Sequence, residues 1–214
     1  IERVLTALTQ GFGDGVGGSS HALIPSEYPL GLNRPSLPVL AAVSRAIHLQ
    51  KPLKLKYHST SSGLTEREIV PFALVDNGLR WHVRAYCEKK GEYLDFVMSR
   101  FRGEPDLLDA SPHGRDQDRE WNTRVTAIVI PNPALSEGQQ AIIASDYAMA
   151  DGKLLISQRI PLMHYALERM QVSYNGEHQQ HPLLYPLVLA NREELIEQGC
   201  TFKLKSADLL VLPR

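Results

Sequence analysis

Leu79-Arg80-Trp81-His82-Val83-Arg84-Ala85-Tyr86-Cys87 alternates apolar and polar side chains, and it is one of four such runs between Pro52 and Gly103. The others are Pro52-Leu53-Lys54-Leu55-Lys56-Tyr57-His58, Arg67-Glu68-Ile69-Val70-Pro71-Phe72-Ala73-Leu74 and Tyr93-Leu94-Asp95-Phe96-Val97-Met98-Ser99-Arg100-Phe101-Arg102. A period of two places one set of side chains on a core face and the other on the opposite face. Turn chemistry bounds each run: Ser61-Ser62-Gly63, Asp76-Asn77-Gly78 and Lys89-Lys90-Gly91. Asn and Gly tolerate the positive φ that a tight hairpin demands. The reading is a short-stranded antiparallel sheet curled into a barrel.

On the run from Leu79, residues Arg80, His82, Arg84 and Tyr86 share one face, and Trp81, Val83, Ala85 and Cys87 the other. Arg100 and Arg102 share a face at the end of the last run. Guanidinium groups beside an imidazole suit an anion, because Arg donates in a bidentate fork and stacks on rings. The alternative is a solvated face of a half-exposed sheet, the ordinary fate of charged strand positions. A third reading makes His82 a general base, with Ser59 or Ser62 as nucleophile and Asp76 or Asp95 as orienter. Neither serine sits in a nucleophile elbow, and Ser59-Thr60-Ser61-Ser62-Gly63 is an ordinary turn sequence.

Working outward, residues 37–50 read as a helix capped by Ser36, with Leu40, Val43 and Ile47 on its buried stripe. Four prolines between residues 24 and 38 make an extended linker. Residues 1–10 carry Ile1, Val4, Leu5 and Leu8 at helical spacing. Gly13-Asp14-Gly15-Val16-Gly17-Gly18 matches the dinucleotide fingerprint in form, but that motif needs a strand before it and a helix after it. A helix precedes it here, so the segment reads as a loop. The chain opens on Ile1 and not Met, which we read as a piece of a longer protein.

Residues 104–120 are polar and turn-rich and read as a poorly packed connector. Asp106, Asp109, Asp116 and Asp118 lack the spacing of a calcium loop. From Thr123 strands alternate with short helices. Residues 125–130, 153–160 and 183–189 are strand-like, and residues 201–212 give a last strand or two. Ser136-Glu137 opens one helix, Pro161 stands first in another, and Asn191 with Glu194 reads as a capping box for a helix closed by Gly199. This is a small α/β sandwich, so the chain as a whole is α+β.

The 214 residues carry 23 Lys and Arg against 24 Asp and Glu, a balance that excludes a chain-wide electrostatic nucleic-acid binder and leaves room for a local basic patch. The two cysteines, Cys87 and Cys200, form neither a metal spacing nor a disulfide framework and read as buried thiols in a reducing cytoplasm. No apolar run is long enough to cross a bilayer, and no His/Cys/Glu cluster has zinc spacing.

At Lys54-Leu55-Lys56-Tyr57, Ile69-Val70-Pro71-Phe72, Leu79 to Tyr86 and Phe96-Val97-Met98-Ser99-Arg100-Phe101, the chain resembles the WYL-domain family of bacterial transcriptional regulators, in the subgroup that regulates phage-defence islands. The triplet that names the family stands here as Trp81-His82-Val83. Residues 123–214 resemble, more weakly, the carboxy-terminal extension of these regulators.

The resemblance implies an Sm-like or SH3-like barrel and a homodimer. It also implies an amino-terminal winged helix-turn-helix that binds promoter DNA, and a pocket that senses a nucleotide or oligonucleotide. Carried over by position, that pocket uses Tyr57, Ser59, His82, Arg84, Tyr86, Arg100 and Arg102. The division is then residues 1–36 as a linker or remnant of the DNA-binding region, 37–104 as the WYL domain with its leading helix, 105–122 as connector and 123–214 as the carboxy-terminal domain. No cofactor, metal, membrane or catalytic role is implied. A direct single-strand nucleic-acid binder and, behind it, a nucleotide-processing enzyme are the alternatives.

Overall fold

The computed structural model describes residues 34–176, 179 and 181–202. The helix expected at residues 1–10, the glycine-rich loop and strands beyond residue 202 lie outside the described residues.

The first half opens with helix α1 (Leu37–Leu49). Pro38 fits its first turn, where the missing N–H is not needed, and Gln50 ends it in the left-handed region. Ser36 occupies the cap position without a side-chain bond, and the buried stripe is Val39, Val43 and Ala46. Leu40, expected inside, is 37% exposed, so the helix sits about one residue rotated from the expected stripe.

Strands β1 (Leu53–Ser59), β2 (Gly63–Asp76), β3 (Trp81–Cys87), β4 (Glu92–Val97) and β5 (Phe101–Leu107) form an antiparallel sheet in the order β4-β3-β2-β1-β5. Alternation in β1 holds as read: Leu53, Leu55 and Tyr57 are buried, and Lys54, Lys56 and His58 are exposed. Pro71 lies in β2 past the last residue paired with β1, at a register shift against β3, where its missing N–H breaks no ladder.

The run expected at residues 93–102 is two strands. A one-turn 3-10 helix, Met98–Arg100, separates them and carries the chain from one sheet edge to the other. The pairing does not close, since β4 and β5 are the two edges. The sheet is therefore open and strongly curled, with Tyr57 at its centre: the Tyr57 hydroxyl accepts from the Val97 N–H at 3.2 Å, and its ring meets Phe96 and Phe101 edge to face. Its core runs from α1 through Leu53, Leu55, Ile69, Val83, Ala85 and Cys87 to Met98.

Most of residues 104–120 are exposed, and the stretch is anchored at its end, where Asp118 is buried. A short helix α2 (Arg119–Asn122) is capped by Asp118, whose carboxylate accepts from the Trp121 N–H at 3.0 Å. Asp118 is 1% exposed and Trp121 8%.

The second half is a three-stranded antiparallel sheet in the order β7-β6-β8, from β6 (Arg124–Pro131), β7 (Leu154–Arg159) and β8 (Leu187–Leu189). Helices α3 (Glu137–Asp146), α4 (Ile160–Arg169) and α5 (Arg192–Glu197) accompany it. Met163, Leu167 and Leu195 pack on Val125, Ala127 and Val129. Ser136 and Gln139 make a reciprocal capping box for α3.

Asn191 makes no side-chain cap bond to α5. Its Oδ1 accepts from the Ile128 N–H at 2.8 Å and its Nδ2 donates to the Thr126 carbonyl at 3.0 Å, pinning the helix to β6. Asn191→Ala leaves two strand groups unmatched and is expected to lower stability by about 1–3 kcal/mol, read as a shift of the urea midpoint at unchanged slope.

Candidate anion site at the interface of the two halves

Strand β3 is covered on both faces. Val83, Ala85 and Cys87 face the first core, while His82 and Arg84 are 5% and 4% exposed beneath the connector and α4. This overturns the solvated-face alternative at those two positions. Their cover comes from residues far away in sequence.

Arg84 is held by three carboxylates. Its Nε donates to Asp118 at 2.8 Å and its Nη2 to Glu120 at 3.1 Å, and Nη1 lies 3.5 Å from Asp95. Burial pulls its pKa down, but Asp118 and Asp95 outweigh that and raise it above the ordinary value. Asp95 is held above the usual carboxylate range by burial, with Arg84 and a hydrogen bond from Tyr165 opposing. Tyr165, on α4, is raised by burial and by Asp95. A cleft of about 400 Å³ opens here, with Arg84, Glu92, Asp95, Glu120 and Glu168 in its walls. Four carboxylates against one committed guanidinium make it a poor place for an anion.

The other end of β3 has the opposite character. The His82 ring lies 5.1 Å from that of Tyr165, and its Nδ1 has no hydrogen-bond partner among the described residues. Burial first, then the Arg80 charge, lower its pKa to about 4; the Arg80 backbone opposes them, and His164 and Arg100 add smaller downward pushes. Among the described residues neither Arg80 nor Arg100 is ion-paired. Asp76 and Asn77 are held in their own turn, accepting from the N–H groups of Gly78, Leu79 and Arg80. Gly78 has a φ of +87°, and a Cβ there would meet the Arg169 side chain at 3.2 Å, so α4 also rests on this turn. The result is a buried imidazole that resists protonation near Arg80 and Arg100, an arrangement that an anion would relieve.

The remaining sequence candidates are dispersed. Tyr57 is in the sheet core. Ser59 pairs with Ser61 in the β1–β2 turn. Tyr86 stacks on His113 at 3.7 Å. Arg102 is exposed and donates to the carbonyls of Ser99 and Phe101. Arg100 is half-buried in the 3-10 turn. The structure sets Tyr165 against His82, with Arg80, His164 and Arg100 near enough to act on its charge, while His164 and Tyr165 also line the cleft that holds Arg84. Sequence reasoning missed Asp118 and Tyr165. Asp118 carried a local signal, an Asx cap three residues before a tryptophan in a polar stretch.

Residues 38–103 match the model of the WYL domain, and residues 124–195 match that of the C-terminal dimerization domain of the BrxR transcriptional regulator. The chain thus joins a WYL domain to a dimerization domain of the BrxR type.

Among curated relatives it is 35% identical over 170 residues to the DNA-binding transcriptional repressor CapW of Escherichia coli strain KTE188, covering 77% of this chain and 54% of that protein. It is 32% identical over 158 residues to CapW of Pseudomonas aeruginosa, covering 73% of this chain and 52% of that one. The chain spans about half the length of these relatives. Among solved structures, proteasome accessory factor B/C of Arthrobacter aurescens is 22% identical at a TM-score of 0.34, covering 78% of this chain and 27% of that one, too distant a likeness to carry detail. No helix among the described residues is long and apolar enough to cross a membrane.

Proposed function

We propose that this chain is the ligand-sensing and dimerising part of a cytoplasmic transcriptional repressor of the phage-defence type. An anionic ligand, a nucleotide or short oligonucleotide, is held beside His82 and controls promoter binding by an attached winged helix domain. The observation that carries the reading is the buried Nδ1 of His82, without a hydrogen-bond partner among the described residues, beside Arg80 and Arg100, which form no ion pair among those residues. The WYL match and the relatives named as DNA-binding repressors support the regulatory role.

Residues 37–104 sense, residues 105–122 couple and residues 123–214 dimerise, with residues 1–36 leading from the DNA-binding region. The curled sheet is an Sm-like barrel left open between β4 and β5. Arg80 and Arg100 hold the phosphate and His82 hydrogen-bonds it. Arg84 positions the connector through its carboxylates. The role is binding and not catalysis.

Tyr165 of α4 packs against the His82 ring, so an anion held beside His82 acts on the contact between the two halves. Binding at His82 therefore favours one placement of the dimerising half over another, by the ligand's differential affinity for the two.

Oligonucleotides of increasing length, titrated at about 50 and 200 mM salt, test this reading. A pocket saturates at one or a few nucleotides with a shallow salt slope, and Arg80→Ala or Arg100→Ala weakens binding at least about tenfold, the loss of one charge-assisted contact. Affinity that climbs steadily with length and collapses with salt indicates a strand-binding groove instead.

A further inference from the structure

Each described sheet edge except one is guarded. β4 carries Glu92 and Asp95, and β5 carries Gly103, Glu104, Pro105 and Asp106. Beside β8, Ser173 exchanges backbone hydrogen bonds with Leu187 and Leu189 at 2.9 Å. β7 is the exception. It reads Leu154-Leu155-Ile156-Ser157-Gln158 before its first charge at Arg159, with no proline, and its six-pair register with β6 is unbroken.

Native edges are normally blunted by charge, proline or a bulge, because a flat uncharged edge is a template for another strand. Leu155 is 64% exposed. It pairs with Ile128, next along from Thr126 opposite Ser157, on the face away from the helix-packed core of Val125, Ala127 and Val129.

We propose that the β7 edge, centred on Leu155, is the surface on which a second copy of this chain docks, strand to strand. The inference rests on the dimeric reading above and adds its location. The occupant is argued from the match of residues 124–195 to a dimerization domain, within which β7 lies. An antiparallel strand pairing with its own copy is isologous, so each contact is made twice and the assembly closes. It turns two three-stranded sheets into one of six and places the exposed leucines along the joint.

The test is light scattering on the size-exclusion peak of the full chain across a dilution series, for the wild type and for Leu155→Arg, Ser157→Pro and Ile142→Arg. Ile142, 62% exposed on α3, is the apolar control away from this edge. The wild type is expected to be a dimer. Leu155→Arg and Ser157→Pro weaken it at least about tenfold with unchanged circular dichroism, and Ile142→Arg does not. If Ser157→Pro fails to fold, Leu155→Arg decides. A wild-type dimer that survives Leu155→Arg overturns the location and leaves the dimeric reading intact. A monomeric wild type overturns both.

Discussion

Arg84→Ala is expected to lower the folded chain's stability by about 3–5 kcal/mol, the cost of leaving buried carboxylates without their counter-charge. The Asp118 side chain is 2% exposed and that of Asp95 10%, so solvent does little for either once the guanidinium is gone. Glu120, 56% exposed at its side chain, adds little to this figure. Asp118 also caps α2, so the loss spreads to the connector and loosens the joint between the halves.

The sign of the pH effect follows. Asp95 is already pushed upward by burial, and Arg84 opposes that push. Without Arg84 the Asp95 carboxyl rises further, so the penalty shrinks as pH falls and it takes up a proton. Urea unfolding of wild type and variant at neutral and mildly acid pH measures both effects. A variant as stable as the wild type at neutral pH contradicts this role for Arg84.

The second large effect belongs to His82. Its pKa falls from 6.5 to about 4 on folding, so the unfolded chain takes the proton first. Stability from this group is complete above about pH 6.5 and is lost as pH falls toward 4, about 3 kcal/mol over that window. Asp95 runs the other way: its raised pKa lets the folded chain hold a proton more tightly, so its contribution falls as pH rises past the ordinary carboxylate range. His82→Asn should flatten the limb between pH 6.5 and 4 in a urea-midpoint series. A phosphate placed against His82, Arg80 and Arg100 favours the imidazolium, so anion binding should strengthen toward acid pH and take up a proton.

The strands were legible because β1 and β3 alternate cleanly and Asp76-Asn77-Gly78 names its own turn. What failed was non-local. The apolar beat of residues 93–102 continues through Met98, so nothing in the run betrays the turn that sends β5 to the far edge. Whether His82 and Arg84 face water depended on Tyr165 and Asp118, and no local pattern pairs Arg84 with a carboxylate 34 positions later. The anion-binding chemistry of the β3 face was visible in its residue types. Which arginines are ion-paired was not, because that depends on what packs over each. Asn191 has the spacing of a cap, yet the β6 backbone beside it was the better partner.

The most direct test of the account is a thermal-shift panel of mononucleotides, dinucleotides and short oligonucleotides, run on wild type, Arg100→Ala and Arg84→Ala. The account predicts at least one stabilising ligand for the wild type. It predicts that Arg100→Ala keeps the wild-type midpoint but loses the shift, and that Arg84→Ala melts early. A panel that shifts nothing, or a shift that survives Arg100→Ala, would contradict an anion site at His82.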